Sequence, residues 1–296
     1  MLSLIAVSLF AASTDDALAA RTWPATLAEV LAATADTDWR RPDPQSLLYL
    51  DLADGRQVII ELAPQFAPAH VANIRTLVGS GFYDGLPIVR SQDNYVVQWG
   101  DPDGKRDQGE AVPKLAAEFS RSSTDAPSFT LLVDGDVYAP EVGFVAGFPA
   151  ARDPARKELW LAHCYGMVGV GRDEAIDSGN GSELYVVNGH APRHLDRNVT
   201  LVGRVLQGME ALSSMPRGGG AMGFYAEGES RPIIRQVRLG ADMPEAERVD
   251  LQILRTDGDA FDAVIKARRH RRESWFHTPT GKVELCNVPL PVRVVD

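Results

Sequence analysis

Arg90 and Gln98 stand eight residues apart in neighbouring strand-like runs, Leu86 to Arg90 and Tyr95 to Trp99. A guanidinium stays charged and aims its N–H groups in a rigid fork, so it can stabilise a lone pair or an anion without making a covalent bond. Taken alone, Arg90 reads better as a strand-end surface arginine in an ion pair, and Gln98 reads as a polar strand residue facing solvent. Glu183 begins a third run, Glu183 to Val187, and adds a carboxylate. Other groupings carry less chemistry. His190 and His194 have the i, i+4 spacing of two metal ligands on one helix face, but Pro192 lies between them in a loop-like stretch, so no metal site is expected. His163-Cys164 specifies nothing further. Gly218-Gly219-Gly220 lacks the strand-to-helix setting of a phosphate cradle. Lys266 to Arg272 (KARRHRR) reads either as a nucleic-acid or anionic-membrane contact, or as a solvated face whose charges suit a helix C-terminus.

These residues must be held by a scaffold made mostly of strands. Ser46 to Leu52 and Gln57 to Leu62 flank Ala53-Asp54-Gly55, a hairpin signal. Further strands are expected at Gly166 to Val170, Thr200 to Val205 and Ile233 to Leu239. Helical spacing appears in Thr26 to Ala35, with Leu27, Val30 and Leu31 on one face and a break at Trp39 to Pro44. It appears again in Pro68 to Gly79, closed by its glycine. Strands dominate, so a closed antiparallel barrel is the expected architecture. Two regions look added to it: Asp125 to Leu161, a long stretch punctuated by Gly and Pro, and Ala241 onward. The second has its own candidates, Val249 to Leu254, Asp259 to Arg272 and Val283 to Val295.

The chain has 296 residues, 45% hydrophobic and 24% charged, enough for a packed core in one large domain with extensions or in two small ones. Its net charge of -10 argues against a nucleic-acid partner. Leu2 to Ala12 is apolar but too short to span a bilayer, and Ala17-Leu18-Ala19 follows as an A-x-A-like cleavage site. Residues 1–19 are therefore expected to be a signal peptide, although no Lys or Arg precedes the apolar run, and the protein is expected to be periplasmic or secreted. No other segment is long and apolar enough for an integral span. An exported chain permits Cys164 and Cys286 to pair, stapling the C-terminal region to the barrel. Two separate buried thiols are the alternative.

Set in order, several segments resemble one family. Pro87-Ile88-Val89-Arg90 followed by Tyr95-Val96-Val97-Gln98-Trp99-Gly100-Asp101 resembles the F-H-R … F-M-x-Q-G-G-D signature of cyclophilins. Upstream, Pro68 to Leu77 and Gly81-Phe82-Tyr83-Asp84-Gly85 are similar to that family's first helix and the turn after it. Downstream, Gly166 to Gly171 resembles G-x-L-S-M-A, and Asn180 to Tyr185 resembles N-G-S-Q-F-F. Leu195-Asp196 and then Val202-Gly203-Arg204-Val205 resemble L-D and F-G-K-V. The resemblance implies a mainly β fold: an eight-stranded antiparallel barrel closed at each end by a helix. On this reading residues 20–45 form an N-terminal helical extension, 46–240 the cyclophilin-like domain with an insertion at about 125–161, and 241–296 an appendage.

The resemblance also implies an activity, cis–trans isomerisation of X-Pro bonds in proline-containing polypeptides as exported proteins fold. That reaction turns about a partly double C–N bond against a barrier of about 18–20 kcal/mol. No bond is made or broken, so no metal, nucleophile or cofactor is required. A catalyst needs a dry pocket for the ring and donors that bind the twisted amide better than the planar one. By resemblance Arg90 is the catalytic donor and Gln98 bonds the substrate backbone. Tyr95, Val96, Tyr185 and Leu195 wall the proline pocket, though as plain barrel core they would look the same. Gly171 and Arg172 offer a main-chain edge. Glu183 and His194 replace a glutamine and a tryptophan of the pocket, while Val89 and Val199 replace histidines. A carboxylate at Glu183 would either orient Arg90 or compete for it. A non-catalytic module that binds Pro-containing or extended segments is the alternative function.

Overall fold

The structure, a computed structural model, describes residues 23, 25–124 and 128–295. The expected signal peptide lies outside the described residues. Helix α1 (Leu27–Ala32) begins at a capping box, in which the Thr26 hydroxyl accepts from the Glu29 amide and the Glu29 carboxylate accepts from the Thr26 amide. The stretch expected only to break this helix supplies a short strand, β1 (Trp39–Arg40). Strands β2 (Leu47–Leu52) and β3 (Gln57–Leu62) form the expected hairpin, turned by Gly55 at φ +90°. Helix α2 (Pro68–Gly79) starts on proline, whose missing N–H costs nothing there. Ser80 caps it in right-handed geometry, and the left-handed turn falls at Gly81, φ +69°, two residues later than expected.

Strands β4 (Ile88–Ser91) and β5 (Val96–Gly100) follow. The stretch expected as an insertion, 125–161, forms a sheet of its own together with a short strand just before it: β6 (Arg121–Ser122), β7 (Phe129–Leu132), β8 (Glu141–Val145), β9 (Phe148–Asp153) and β10 (Glu158–Leu161). The chain then adds β11 (Met167–Val170), β12 (Glu183–Val187), β13 (Leu201–Gln207), helix α3 (Met209–Ser213) and β14 (Ile234–Leu239). It ends with β15 (Leu251–Leu254), helix α4 (Asp259–His270) and β16 (Val292–Val294). The long strand expected from Val283 is mostly absent. A 3-10 turn occupies Leu285–Asn287, and Pro289 and Pro291 remove ladder donors before β16.

The eight-stranded sheet runs β14-β2-β3-β13-β11-β12-β5-β4, with every pair antiparallel. Its two edges meet where Pro87 bridges Ile233 and the Ile88 amide donates to Pro232 O at 2.8 Å, so the barrel is nearly closed. Leu48, Leu50, Val58 and Ile60 share the interior with Val97, Trp99, Leu184 and Val186, and with Ile74 and Leu77 of α2 and Leu212 of α3. The alternate residues of the first hairpin, Leu47, Tyr49 and Ile59, pack outward on Met243 and Leu251. Both faces of β2 are thus covered, which explains why Leu47 to Leu50 run on without polar alternation.

The five-stranded sheet, ordered β6-β10-β9-β8-β7, packs with α1 and α4 in a second core. Phe144 meets Phe261 edge to face at 4.9 Å within it. A three-stranded sheet, β1-β15-β16, joins the N- and C-terminal portions. Cys164 and Cys286 form a disulfide with Cα atoms 5.0 Å apart, tying the C-terminal segment to the residue just before the β11 hairpin.

Candidate active site

Strand alternation decides which residues can form a site. On β5, Val97 and Trp99 fill the barrel, so Val96 and Gln98 face outward; on β12, Leu184 and Val186 fill it, so Glu183 and Tyr185 face outward. Register aligns these outward residues. Arg90 pairs with Gln98, Gln98 with Tyr185, and Tyr185 with Gly169, one row across four strands. A Cβ at Gly169 would lie 2.2 Å from Tyr185 Cζ, so only glycine lets the ring lie over β11. A Cβ at Gly171 would come 2.9 Å from Glu183 Cβ and 3.2 Å from Gln98 Nε2. Two bare backbone positions thus make room for the side chains of the row.

Above this row lies a cleft of about 480 Å3. Arg90 is clamped beside it. Its Nε donates to Met222 O at 2.7 Å and its fork to Gln92 Oε1, while Nη1 stands 3.5 Å from Gln98 Oε1. The guanidinium lies 5.3 Å from the Tyr95 ring and 5.2 Å from the Phe224 ring. Burial lowers its pKa from the usual guanidinium range, but an arginine keeps its charge in proteins. Gln98, 9% exposed, donates through Nε2 to Glu183 Oε2 at 2.8 Å. Burial pushes the Glu183 carboxyl up, with the hydrogen bond from Gln98 opposing and nearby Asp173 and Asp101 adding to the rise. The opposite wall is apolar, with Val96 and Tyr185 buried and Leu195 half-buried. The arrangement offers one fixed cation, one amide and a greasy recess. It suits binding a ring next to a polar, uncharged group.

A family model, cyclophilin type peptidyl-prolyl cis-trans isomerase/CLD, matches residues 48–236. The chain belongs to this family. Curated relatives agree. A probable peptidyl-prolyl cis-trans isomerase of Brucella suis is 29% identical over 187 residues, covering 60% of this chain and 74% of that one. Peptidyl-prolyl cis-trans isomerase B of Bacillus subtilis is 28% identical over 172 residues, covering 57% and 90%. Among solved structures, the cyclophilin AquaCyp293 from Hirschia baltica superposes with a TM-score of 0.69 at 26% identity, over 90% of this chain and 96% of that one. That likeness reaches well beyond the family segment. The protein is a peptidyl-prolyl cis-trans isomerase of the cyclophilin type, with the family's eight-stranded, nearly closed barrel.

In this cyclophilin Arg90, Gln98, Tyr95, Val96, Gly171, Arg172, Glu183, Tyr185 and Leu195 all border the same cleft. The recess is on the outer face of the barrel, so its walls belong to a different cluster from the barrel core: Val96 and Tyr185 pack in the core of the five-stranded sheet. His194 departs from expectation. It is exposed on the 3-10 turn Arg193–Leu195 and does not border the cleft, because Arg193 turns into the protein instead, 3% exposed. Glu183 bonds Gln98, and no ion pair joins it to Arg90 among the described residues; Gln98 stands between the two charges. Sequence reasoning missed Met222 and Phe224. They arrive on the glycine-rich loop 218–225, whose Phe224 bridges Arg90 as an extra strand contact. The aromatic after three glycines was the available signal. Arg172 turns its guanidinium to the carbonyls of Asn198 (2.9 Å) and Asp173 (2.6 Å), so it shapes the rim through its own backbone.

Proposed function

We propose that this isomerase acts on X-Pro bonds of exported polypeptides by non-covalent stabilisation of the twisted amide. The observation that carries the reading is the row Arg90–Gln98–Tyr185, a fixed guanidinium and an amide beside an apolar recess. The prolyl ring sits against Val96, Tyr185 and Leu195, out of water. As the C–N bond twists, its nitrogen recovers a lone pair, and an Arg90 N–H donates to it. This interaction exists only at the twisted state, so it lowers the barrier rather than merely tightening binding. Gln98 bonds the substrate backbone next to the turning carbonyl. Glu183 accepts from one Gln98 N–H and so holds the amide with its oxygen towards Arg90. The main chain at Gly171 and Arg172 lies along the extended peptide. Export is supported by the apolar stretch and cleavage-like site of residues 1–19 and by the disulfide, a bond that persists in oxidising compartments.

Exchange spectroscopy on an Ala-Pro peptide, with wild type and Arg90→Ala side by side, tests the catalytic assignment. Equal exchange rates would remove Arg90 from it. N-terminal sequencing of protein recovered from the producing cell's extracytoplasmic fraction tests export. A chain beginning at Met1 and confined to the cytoplasm would overturn that half.

A further inference from the structure

Behind the recess lies a buried polar chain that the proposed chemistry does not use. The Tyr185 hydroxyl is 2.9 Å from His163 Nε2, and His163 Nδ1 is 2.9 Å from Asp196 Oδ1. The His163 amide donates to the same oxygen at 2.9 Å. Asp196 Oδ2 accepts from Arg193 Nε at 2.6 Å, and the two Arg193 Nη atoms reach Asp136 Oδ1 and Oδ2 at 3.1 and 3.0 Å. The side chains are almost wholly out of water, His163 0%, Asp196 7%, Arg193 2% and Asp136 3% exposed. Two buried carboxylates and, at 4.0 Å, the more exposed Glu284 surround one guanidinium, and burial pushes His163 towards its neutral form. A neutral imidazole beside an ionised Asp196 places its proton on Nδ1, so Nε2 accepts and the Tyr185 hydroxyl donates. The hydroxyl is thereby drawn away from the cleft, and only the ring is presented to it.

The two ends of this chain lie in different parts of the molecule. Tyr185 is on β12 of the barrel. Asp136 is in the connection between β7 and β8, where its Oδ2 also accepts from the Tyr138 amide at 2.9 Å. Leu195, another wall of the recess, is carried between Arg193 and Asp196. We infer that Asp136, Arg193, Asp196 and His163 are positioning residues for the proline recess, through which the five-stranded sheet sets the place of the Tyr185 ring and of Leu195. The inference rests on the proposed role of Tyr185 as a recess wall. It gives the region 121–161, which contributes no side chain to the cleft, a part in substrate binding. Buried charges of this kind tolerate little displacement, because a carboxylate or guanidinium that loses its partner cannot turn to water.

A recess wall grips the ring before and during the twist alike, so loosening it should raise KM and leave kcat in place. The test uses the full oxidised chain, with KM and kcat from exchange kinetics on an Ala-Pro tetrapeptide and a Kd from titration of the same peptide. Asp136→Asn, which alters only the far end of the chain, is expected to raise KM and Kd roughly five- to twenty-fold with kcat within about two-fold. Tyr185→Phe keeps the ring and cuts the chain at its near end. In that background Asp136→Asn should add clearly less than its own factor to Kd, while its cost in Tm persists. A lowered Tm with unchanged KM and Kd would make Asp136 purely structural and overturn the inference; so would effects on Kd that multiply in the double variant. If Asp136→Asn does not fold, Tyr185→Phe alone decides, since an unchanged KM there overturns it equally. A wild type that binds the peptide without catalysing exchange would remove the catalytic assignment of Arg90, while the Kd measurements still decide on the positioning chain.

Discussion

Removing the Arg90 guanidinium is the sharpest perturbation of the proposed mechanism. Its Nε is occupied by Met222 O and Nη2 by Gln92 Oε1, while Nη1 makes only a long, 3.5 Å approach to Gln98, so Nη1 is the nitrogen best placed to serve a substrate. The group lies between two aromatic rings and is half-buried, where water screens it poorly. Loss of such a preorganised donor costs about 2.7–4 kcal/mol in the transition state, or roughly a hundred- to thousand-fold in kcat. The ground-state complex has a planar amide whose nitrogen accepts nothing, so KM should move little. Some stability is lost as well, because Arg90 also holds the 218–225 loop; one charged hydrogen bond contributes about 1.5–3 kcal/mol. Arg90→Lys separates the two effects, since it keeps the charge without the fork and should recover part of kcat. The assay is exchange spectroscopy on an Ala-Pro peptide, with near-UV circular dichroism to confirm the fold. A folded Arg90→Ala with kcat within about three-fold of wild type would refute the assignment.

Four further outcomes are expected. Glu183→Gln and Arg90→Lys, combined in a double-mutant cycle on peptide binding, should couple by about 1 kcal/mol through Gln98, and additive effects would show that Gln98 does not relay between them. Because burial raises the folded-state pKa of Glu183, its carboxyl costs the native state nothing in acid, where it is neutral folded and unfolded, and destabilises it as pH rises through the folded pKa. Glu183→Gln should therefore have a higher Tm than wild type near neutral pH, with the gain vanishing at low pH; a constant gain across pH would contradict this. Opening the Cys164–Cys286 disulfide frees a loop spanning a separation of 122 residues, worth about 5 kcal/mol on the chain-entropy estimate. Reduction or Cys286→Ser should then lower Tm by on the order of 10 °C, whereas an unchanged Tm would mean the bond adds nothing. Gly169→Ala places a methyl 2.2 Å from Tyr185 Cζ, so it should cost about 1–3 kcal/mol of stability and raise KM, and a variant with wild-type KM would show that the ring position does not matter.

Local pattern was enough for much of the scaffold. β3, α2 and β12 lie within the limits that alternation, helical spacing and Pro/Gly signals indicate, since these depend on neighbours a few residues away. The ordered motifs also sufficed to place Arg90 and Gln98 in one site, because their spacing spans a single hairpin, β4–β5. Other features depend on which distant segments meet. The sheet of residues 121–161 has short strands separated by Gly and Pro, and what makes them a sheet is packing against α1 and α4 from the two ends of the chain. The walls of the recess have the composition of barrel core, and only the β5–β12 register puts Val96 and Tyr185 on the outer face. The loop at 218–225 is brought to Arg90, and His194 left outside the cleft, by closure of the barrel and the inward turn of Arg193. Cys164 and Cys286 pair because the C-terminal segment folds back on the barrel. A residue's type and its near neighbours are written in the chain; which face it presents, and to what, follows from contacts between segments far apart in sequence, and those exist only once the whole chain has folded.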